Sequence, residues 1–194
     1  MATKPFDPSE AITFDLELGH VHLDGAPHRT LVPSEALLAL CGAAGPEATS
    51  TFAKALGSEL GRRVAVRLGR EAEAEPSAAV RAAGLDAIVN GLAGELALAG
   101  LGTVGAERWG KALVLVVDQC PLGEGGDTLL AGVLEGALGG MTEAPVGVVP
   151  LHREGVRARM LVISGAVAGA VQQKLAAGES WGAVLAALHA GGAS

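Results

Sequence analysis

The stretch that decides the fold runs from Trp109 to Val162 and reads WGKALVLVVDQCPLGEGGDTLLAGVLEGALGGMTEAPVGVVPLHREGVRARMLV. It predicts two strands joined at Gly110, a helix from Thr128 to Gly140, and a last hairpin that turns at 153–155. The segment from Leu113 to Val117 is apolar at every position, which is typical of a central strand covered on both faces. Strands, a helix and further strands in this order indicate an α+β domain, with helices packed on an antiparallel sheet.

Apolar periodicity predicts the elements on either side of this stretch. Alternation from Ile12 to Leu18 predicts a half-buried strand. Helical spacing predicts further helices over Glu35–Cys41, Pro46–Leu68, Ser77–Leu98, 166–177 and 181–189. On the second of these helices, one apolar stripe is expected at Phe52, Leu56, Leu60 and Val64. We therefore divide the chain into an arm (1–10), an α+β domain (11–163) and a C-terminal helical extension (164–194) that covers an exposed face or docks a partner.

The composition narrows the class of protein. The 194 residues are 49% hydrophobic and only 18% charged, which suits either a membrane protein or a protein with much buried surface, such as an oligomer. No apolar run approaches the ~20 residues that span a bilayer, and the N-terminus lacks a signal-peptide pattern. We therefore expect no membrane span and a cytoplasmic location. A net charge of −7 argues against nucleic-acid binding, which requires clustered Lys and Arg.

The polar motifs predict no reaction. The arginines at 62, 63, 67 and 70 are diluted by glutamates and indicate a solvated helix surface rather than a phosphate site. The loop Gly123–Gly126 precedes a helix, where a phosphate could bind, but Glu124 and Asp127 would repel an anion, so a plain connecting loop is expected. His20 and His22 share a strand face, yet no third metal ligand stands at a diagnostic spacing. With no GxSxG motif either, we expect neither catalytic residues nor a metal site.

Two features leave alternatives open. Cys41 and Cys120 are expected to be reduced thiols, and Cys120-Pro121 is a weak signal for thiolate ligation of a haem beside the simpler reading of a thiol at a strand end. The helix from Leu129 to Met141 either belongs to the core or lines an apolar ligand pocket. Its four glycines, which lower helix stability, suggest close packing against a sheet, a second subunit or a ligand.

The segment from Gly100 to Val162 resembles the 4-vinyl-reductase-like domain family, which is related to the TRAPP-subunit fold. The resemblance rests on Gly100-Leu101-Gly102, the apolar strand that ends at Cys120-Pro121, the run AGVLEGAL at 131–138, and the last hairpin. The upstream run ALGSELG at 55–61 is similar to the long helix of that family. The match covers roughly residues 20–163.

The resemblance implies a mixed α/β fold, a homodimer, and non-enzymatic binding or sensing of small apolar molecules, including hydrocarbons and tetrapyrroles. Family members carry cysteines in the last hairpin that suit a metal, whereas this chain has His152 and Ala158 near those positions, so no metal site is expected. The expected ligand pocket lies between the helices and the sheet. Its predicted lining residues are Phe52, Leu56, Leu92, Leu96, Cys120, Leu134 and Leu138. The alternatives are a structural or adaptor protein that acts through dimer and partner interfaces, and a haem or tetrapyrrole binder that uses Cys120.

Overall fold

The computed structural model describes residues 8–23, 26–142 and 144–190. The chain begins with a short helix and a three-stranded antiparallel meander: α1 (Pro8–Ala11), β1 (Ile12–Asp15), β2 (His20–Leu23) and β3 (Ala26–Arg29). Four helices follow: α2 (Ser34–Ala44), α3 (Pro46–Glu71), α4 (Pro76–Ala82) and α5 (Leu85–Leu98). The remainder is β4 (Thr103–Trp109), β5 (Ala112–Asp118), α6 (Asp127–Thr142), β6 (Val146–Glu154), β7 (Arg157–Ser164), α7 (Gly165–Ala176) and α8 (Trp181–Ala190).

The four later strands form one antiparallel sheet in the order β4-β5-β7-β6. Strand β5 lies between β4 and β7, and its side chains enter one apolar cluster on each face of the sheet. Leu115 and Val117 point to the first face, whereas Val114 and Val116 point to the second. The α+β class and the central, doubly covered strand are therefore confirmed.

The two faces of the sheet are covered by different parts of the chain. Helices α5 and α6 pack on the first face, and α3 lies against both of these helices. Helices α7 and α8 pack part of the second face, where Val171, Val184 and Leu185 join the second apolar cluster. The rings of Trp109 and Trp181 lie 4.9 Å apart, centroid to centroid, and connect β4 to α8. The C-terminal helices thus bury a face of the sheet, which is the first of the two roles expected of them.

Helices α3 and α6 cross with their backbones in direct contact. A Cβ atom built on Gly57 would lie 1.9 Å from the carbonyl oxygen of Val133, and one built on Gly136 would lie 2.2 Å from that of Lys54. Gly61 meets the carbonyl oxygen of Ala137 in the same way, at 2.2 Å. The glycines of α6 do have a close neighbour, but it is another helix of the same chain and not the sheet, second subunit or ligand that was expected.

A buried ion triad joins α5 to α3. The side chain of Glu95 is 0% exposed and accepts a hydrogen bond from Nε of Arg63 at 2.7 Å and another from Nη2 of Arg67. The two arginine side chains are themselves mostly buried. The expectation of a solvated arginine surface is therefore wrong for Arg63 and Arg67, because their partner comes from a helix some thirty residues later in the chain. It holds for Arg62, which pairs with Glu59 at the surface.

The single helix expected from Ser77 to Leu98 is two helices. Ala83 and Gly84 adopt extended backbone conformations (ψ of 141° and 159°) and separate α4 from α5. Gly84 then occupies the N-cap of α5, where glycine is tolerated. Glu75 caps α4, and the hydrogen bond from the Ser77 hydroxyl lowers the pKa of its carboxyl group, with backbone N–H groups acting in the same direction.

Two N-terminal boundaries also differ from the expected ones. The first strand ends at Asp15 instead of Leu18, because the Asp15 carboxylate accepts hydrogen bonds from the N–H groups of Glu17 and Leu18 and fixes a turn. Helix α2 runs to Ala44 instead of ending at Cys41. Its terminator is Gly45, whose φ of 86° lies in the left-handed region that glycine adopts without strain.

The buried face of α3 is offset from the predicted stripe. Leu60 and Val64 are buried, but Phe52 is 44% exposed, and Ala53 and Gly57 take the inner positions. A strict four-residue spacing advances by about 40° per step on a helix with 3.6 residues per turn. Phe52 therefore lies roughly 120° around the helix from Val64, and the small residues that allow α6 to approach occupy the inner face.

We predict that Gly136→Ala destabilises the protein by about 2–3 kcal/mol, because the new methyl group overlaps the α3 backbone. For a chain of this size, that change corresponds to a fall in Tm of roughly 4–12 °C. The matched control is Gly169→Ala on α7, where an added Cβ meets no atom within 4 Å, so that helix propensity makes it neutral or stabilising by up to ~1 kcal/mol. Thermal denaturation followed by circular dichroism measures both. Equal Tm values for Gly136→Ala and the wild type would contradict the backbone contact.

We also predict that Glu95→Gln destabilises the protein by about 3–5 kcal/mol, because two mostly buried guanidinium groups lose their anionic partner. Glu59→Gln removes the surface partner of Arg62 instead and is expected to change the stability by no more than ~1 kcal/mol. Urea unfolding of the two variants compares them directly. Similar stabilities for the two variants would show that the triad contributes no more than a surface pair.

Candidate functional site

The space between the first face of the sheet and helices α5 and α6 gathers most of the predicted lining residues. Leu92, Leu96, Cys120 and Leu134 belong to one buried apolar cluster. Leu56 and Leu138 are half-buried and pack against its margin. Phe52 is the exception, since its side chain is half exposed and is not part of the cluster. Six of the seven predicted residues therefore lie in or beside one cluster, and the seventh lies outside it.

A polar corner interrupts this cluster where β5 ends and α6 begins. Arg153 donates from Nε to Oδ1 of Asp127 at 2.7 Å, and its Nη2 lies 2.6 Å from the same oxygen. Its Nη1 donates to the carbonyl oxygen of Gly155 at 3.3 Å, and the buried Cys120 lies near enough to the guanidinium to contribute to its raised pKa. The Arg153 side chain is 3% exposed and Cys120 is 1% exposed. A guanidinium, a carboxylate and a thiol thus meet at the edge of an apolar core.

A β-bulge in β6 aims Arg153 at this corner. The pairing of β6 with β7 shifts between Pro150 and His152, so Arg153 pairs with Ala158, whose side chain faces the first side of the sheet. Without the extra residue, strict alternation would place Arg153 on the second face. Bulges commonly re-aim a side chain in this way.

The end of β5 fixes the position of Cys120 at this corner. Gln119 adopts a φ of 57°, which turns the chain sharply after Asp118. The backbone N–H of Cys120 then donates to the carbonyl oxygen of Val156 at 3.1 Å. This places Cys120 between the last hairpin and the first turn of α6. It lies just after the end of β5, as expected for a thiol at a strand end.

The electrostatics of the corner keep Arg153 charged. Burial by itself lowers the pKa of the Arg153 guanidinium, but the hydrogen bond to the Asp127 carboxylate and the negative charge of that carboxylate raise the pKa above its ordinary value. The Asp127 carboxylate is committed to the guanidinium. Both contacts from Arg153 go to Oδ1 of Asp127, so the corner holds a paired guanidinium and carboxylate whose charges offset each other.

The residues around Cys120 do not fit a haem or tetrapyrrole in this conformation. A thiolate that ligates haem iron needs an open side wide enough for the macrocycle, whereas Cys120 is 1% exposed. The expectation of haem ligation stays a prediction, and no chemistry is derived through such a group. Both cysteines are free thiols, with Cys41 half-buried.

A second polar group lies on the part of the second face where the strands carry charged side chains. Arg157 donates to both carboxylate oxygens of Asp118, from Nε at 2.6 Å and from Nη2 at 3.2 Å. Nε of Arg159 lies 3.7 Å from Oε2 of Glu107, which also accepts a hydrogen bond from the Trp109 indole at 2.9 Å. These pairs connect β4, β5 and β7 across the sheet surface.

Within residues 8–23, 26–142 and 144–190, no group of three or more His, Cys, Asp and Glu side chains could hold a metal ion. The rings of His20 and His22 lie 5.8 Å apart, whereas the side chains of His28 and His189 fall outside the described residues. Over the same ranges, none of the helices has the length and the apolar character needed to cross a bilayer.

Sequence reasoning did not find Arg153, Asp127 or Glu95. Arg153 stands next to a hairpin turn, where an exposed side chain is the ordinary expectation, and the bulge that buries it leaves no mark in the sequence other than Pro150. Asp127 was considered only as a charge that repels anions. Glu95 was hidden within an apolar helix pattern, although a single carboxylate among Leu92, Leu96 and Leu98 is itself a signal that a cation lies nearby.

Comparison with known proteins gives little that bears on function. No protein-family model matches the chain, so the resemblance to the 4-vinyl-reductase-like family stays a prediction. No curated protein matches it either. Among solved structures, the chain is similar to the crystal structure of the phenol-responsive sensory domain of the transcription activator PoxR with phenol. The sequence identity is 15% and the TM-score is 0.46, over 79% of this chain and 85% of that chain. A likeness of this strength assigns neither a family nor a ligand to this protein.

Proposed function

We propose that this protein binds a small, mostly apolar molecule between the first face of the sheet and helices α5 and α6, and that it does so without catalysing a reaction. The observation that carries the proposal is the buried corner of Arg153, Asp127 and Cys120 at the edge of an otherwise apolar cluster. Small-molecule sites typically combine an apolar lining with a few placed polar groups that fix orientation.

The chemistry of the corner indicates the class of ligand. Leu92, Leu96 and Leu134 offer only dispersion contacts and desolvation, which favour a hydrocarbon or aromatic body. Arg153 offers N–H donors that favour one uncharged oxygen acceptor on that body, because the neighbouring Asp127 carboxylate repels an anion. The proposed ligand is therefore an apolar molecule with a single polar end, which would displace part of the contact between Arg153 and Cys120.

The test is native mass spectrometry of the protein purified from its own host. We expect a mass in excess of the polypeptide that is released on denaturation. Arg153→Met should raise the dissociation constant of the ligand by about 10–100-fold and so lower the retained fraction, because a charged hydrogen bond to a ligand contributes about 1.5–3 kcal/mol. Arg157→Met, which removes an exposed guanidinium near the same hairpin, is the matched control and should retain the wild-type mass.

Two further outcomes keep this test decisive. If Arg153→Met unfolds because Asp127 is left without its partner, the double variant Arg153→Met/Asp127→Asn removes both charges together and takes its place. A wild-type protein that carries no added mass, or equal retention in the Arg153 and Arg157 variants, would contradict the proposal.

Haem binding through Cys120 has its own test. If Cys120 ligates iron, haem added to the wild-type protein gives a Soret band that shifts in Cys120→Ala, whereas Cys41→Ala leaves it unchanged. From the burial of the thiol, we expect the same spectrum from all three proteins. A Soret shift confined to Cys120→Ala would establish haem ligation instead.

A structural or adaptor role is the second candidate function. Large apolar side chains are exposed in the N-terminal third of the chain, and such surfaces mark interaction sites. An adaptor of this kind needs no ligand, so the mass measurement above separates it from the first candidate.

A further inference from the structure

The N-terminal meander carries two histidines on one face of β2. His20 and His22 stand two positions apart on this strand, so their side chains point to the same side of the sheet. His20 is exposed and His22 is half-buried. Among the described residues, neither imidazole has a hydrogen-bond or ion-pair partner. Each neutral ring therefore keeps one nitrogen lone pair available for another bond.

The separation of the two rings is close to that of two imidazoles on one metal ion. A metal binds an imidazole nitrogen at about 2.0–2.1 Å, which places the centroids of two neighbouring bound rings roughly 4.5–5.2 Å apart. In this structure the centroids lie 5.8 Å apart, and the ring planes are tilted by 56°. Closing the gap of roughly 1 Å needs only small rotations of the side chains within their rotamers. The strand therefore arranges the two rings nearly as a chelate requires.

The charges around the two histidines favour a cation. Asp15 on β1 is directly opposite His20, and residues in that position lie on the same face of the sheet. Oδ1 of Asp15 accepts hydrogen bonds from the N–H groups of Glu17 and Leu18, which holds the carboxylate in the turn that joins β1 to β2. Between positions 5 and 28, the sequence has five acidic residues and no lysine or arginine. A divalent cation is therefore attracted to this part of the chain, whereas an anion is repelled.

We propose that His20 and His22 together bind one divalent transition-metal ion, with water completing its coordination. Two imidazoles do not form the closed, four-ligand site of a structural zinc, which agrees with the lack of any group of three or more metal ligands among the described residues. They suit the tetragonal nitrogen and oxygen coordination of Cu²⁺ and Ni²⁺. The expectation of no metal site depended on the lack of a third protein ligand, which an open site of this kind does not need.

This metal site goes beyond the proposed function and does not depend on it. His20 and His22 belong to the three-stranded sheet β1-β2-β3, whereas the proposed ligand lies against the four-stranded sheet. Because one histidine is exposed and the other is half-buried, the bound ion stays open to solvent and exchanges with the medium.

The test is isothermal titration calorimetry of the untagged full chain with Ni²⁺. We expect one ion per chain. His20→Gln and His22→Gln should each raise the Kd by about 100-fold, because the second imidazole then no longer binds within the same molecule. The matched control is His152→Gln, which removes an exposed histidine from β6 and should leave the Kd unchanged. Circular dichroism of His20→Gln should match the wild type, since the replaced side chain is exposed.

The choice of ion tests the chemistry of the ligands. Cu²⁺ should bind more tightly than Ni²⁺, as it does at nitrogen sites in general, whereas Mg²⁺, which prefers oxygen ligands, should not bind. The electron paramagnetic resonance spectrum of bound Cu²⁺ should show coupling to two nitrogen nuclei in the wild type and to one in His22→Gln.

Three outcomes would overturn the metal site. They are a wild type that binds no Ni²⁺, a Kd for Ni²⁺ that neither His20→Gln nor His22→Gln changes, and binding of Mg²⁺ as tight as that of Ni²⁺. Each of them leaves the mass measurement on Arg153→Met unaffected, so the metal site and the proposed ligand site can fail separately.

Discussion

The contact between the backbones of α3 and α6 is the constraint on which the rest of the structure depends. Gly57 and Gly136 leave no room for a side chain at the crossing, so the backbones of α3 and α6 are in direct contact. Helix α6 in turn packs on the first face of the sheet, and α5 is held to α3 by Glu95 and its two arginines. Displacing α3 would therefore move the two elements that surround the candidate site.

The glycines of this crossing exchange local stability for close approach. Each glycine within a helix costs up to about 1 kcal/mol relative to alanine, and the contact offsets this by packing a long run of backbone atoms. A core of Leu, Val and Ala with few aromatic side chains suits such a crossing, because neighbouring helices can approach closely when no large side chains stand between them.

The buried charged groups are stabilised by pairing with each other, whereas the apolar groups are stabilised by packing. Glu95, Arg153 and Asp127 are each paired within the fold, as burial of charge requires. Arg153 differs from Arg63 and Arg67 because it contacts a thiol at the edge of the apolar cluster, whereas the other two join helix to helix. That difference is the reason for proposing a structural role for the triad and a binding role for the corner.

The sequence by itself determined the fold class, the central strand and the two C-terminal helices, because periodicity within a segment reports directly on which side of it is buried. It also placed Leu92, Leu96 and Leu134 in one cluster for the same reason. Only the tertiary structure decided that Phe52 faces outward, that Glu95 pairs with two arginines, and that Arg153 reaches Cys120. Phe52 faces outward because α6 requires small residues along the inner side of α3. Glu95 lies about thirty positions from its two arginines, and the position of Arg153 depends on one extra residue in β6. Local patterns carry no information about such long-range pairings and register shifts, which packing alone fixes.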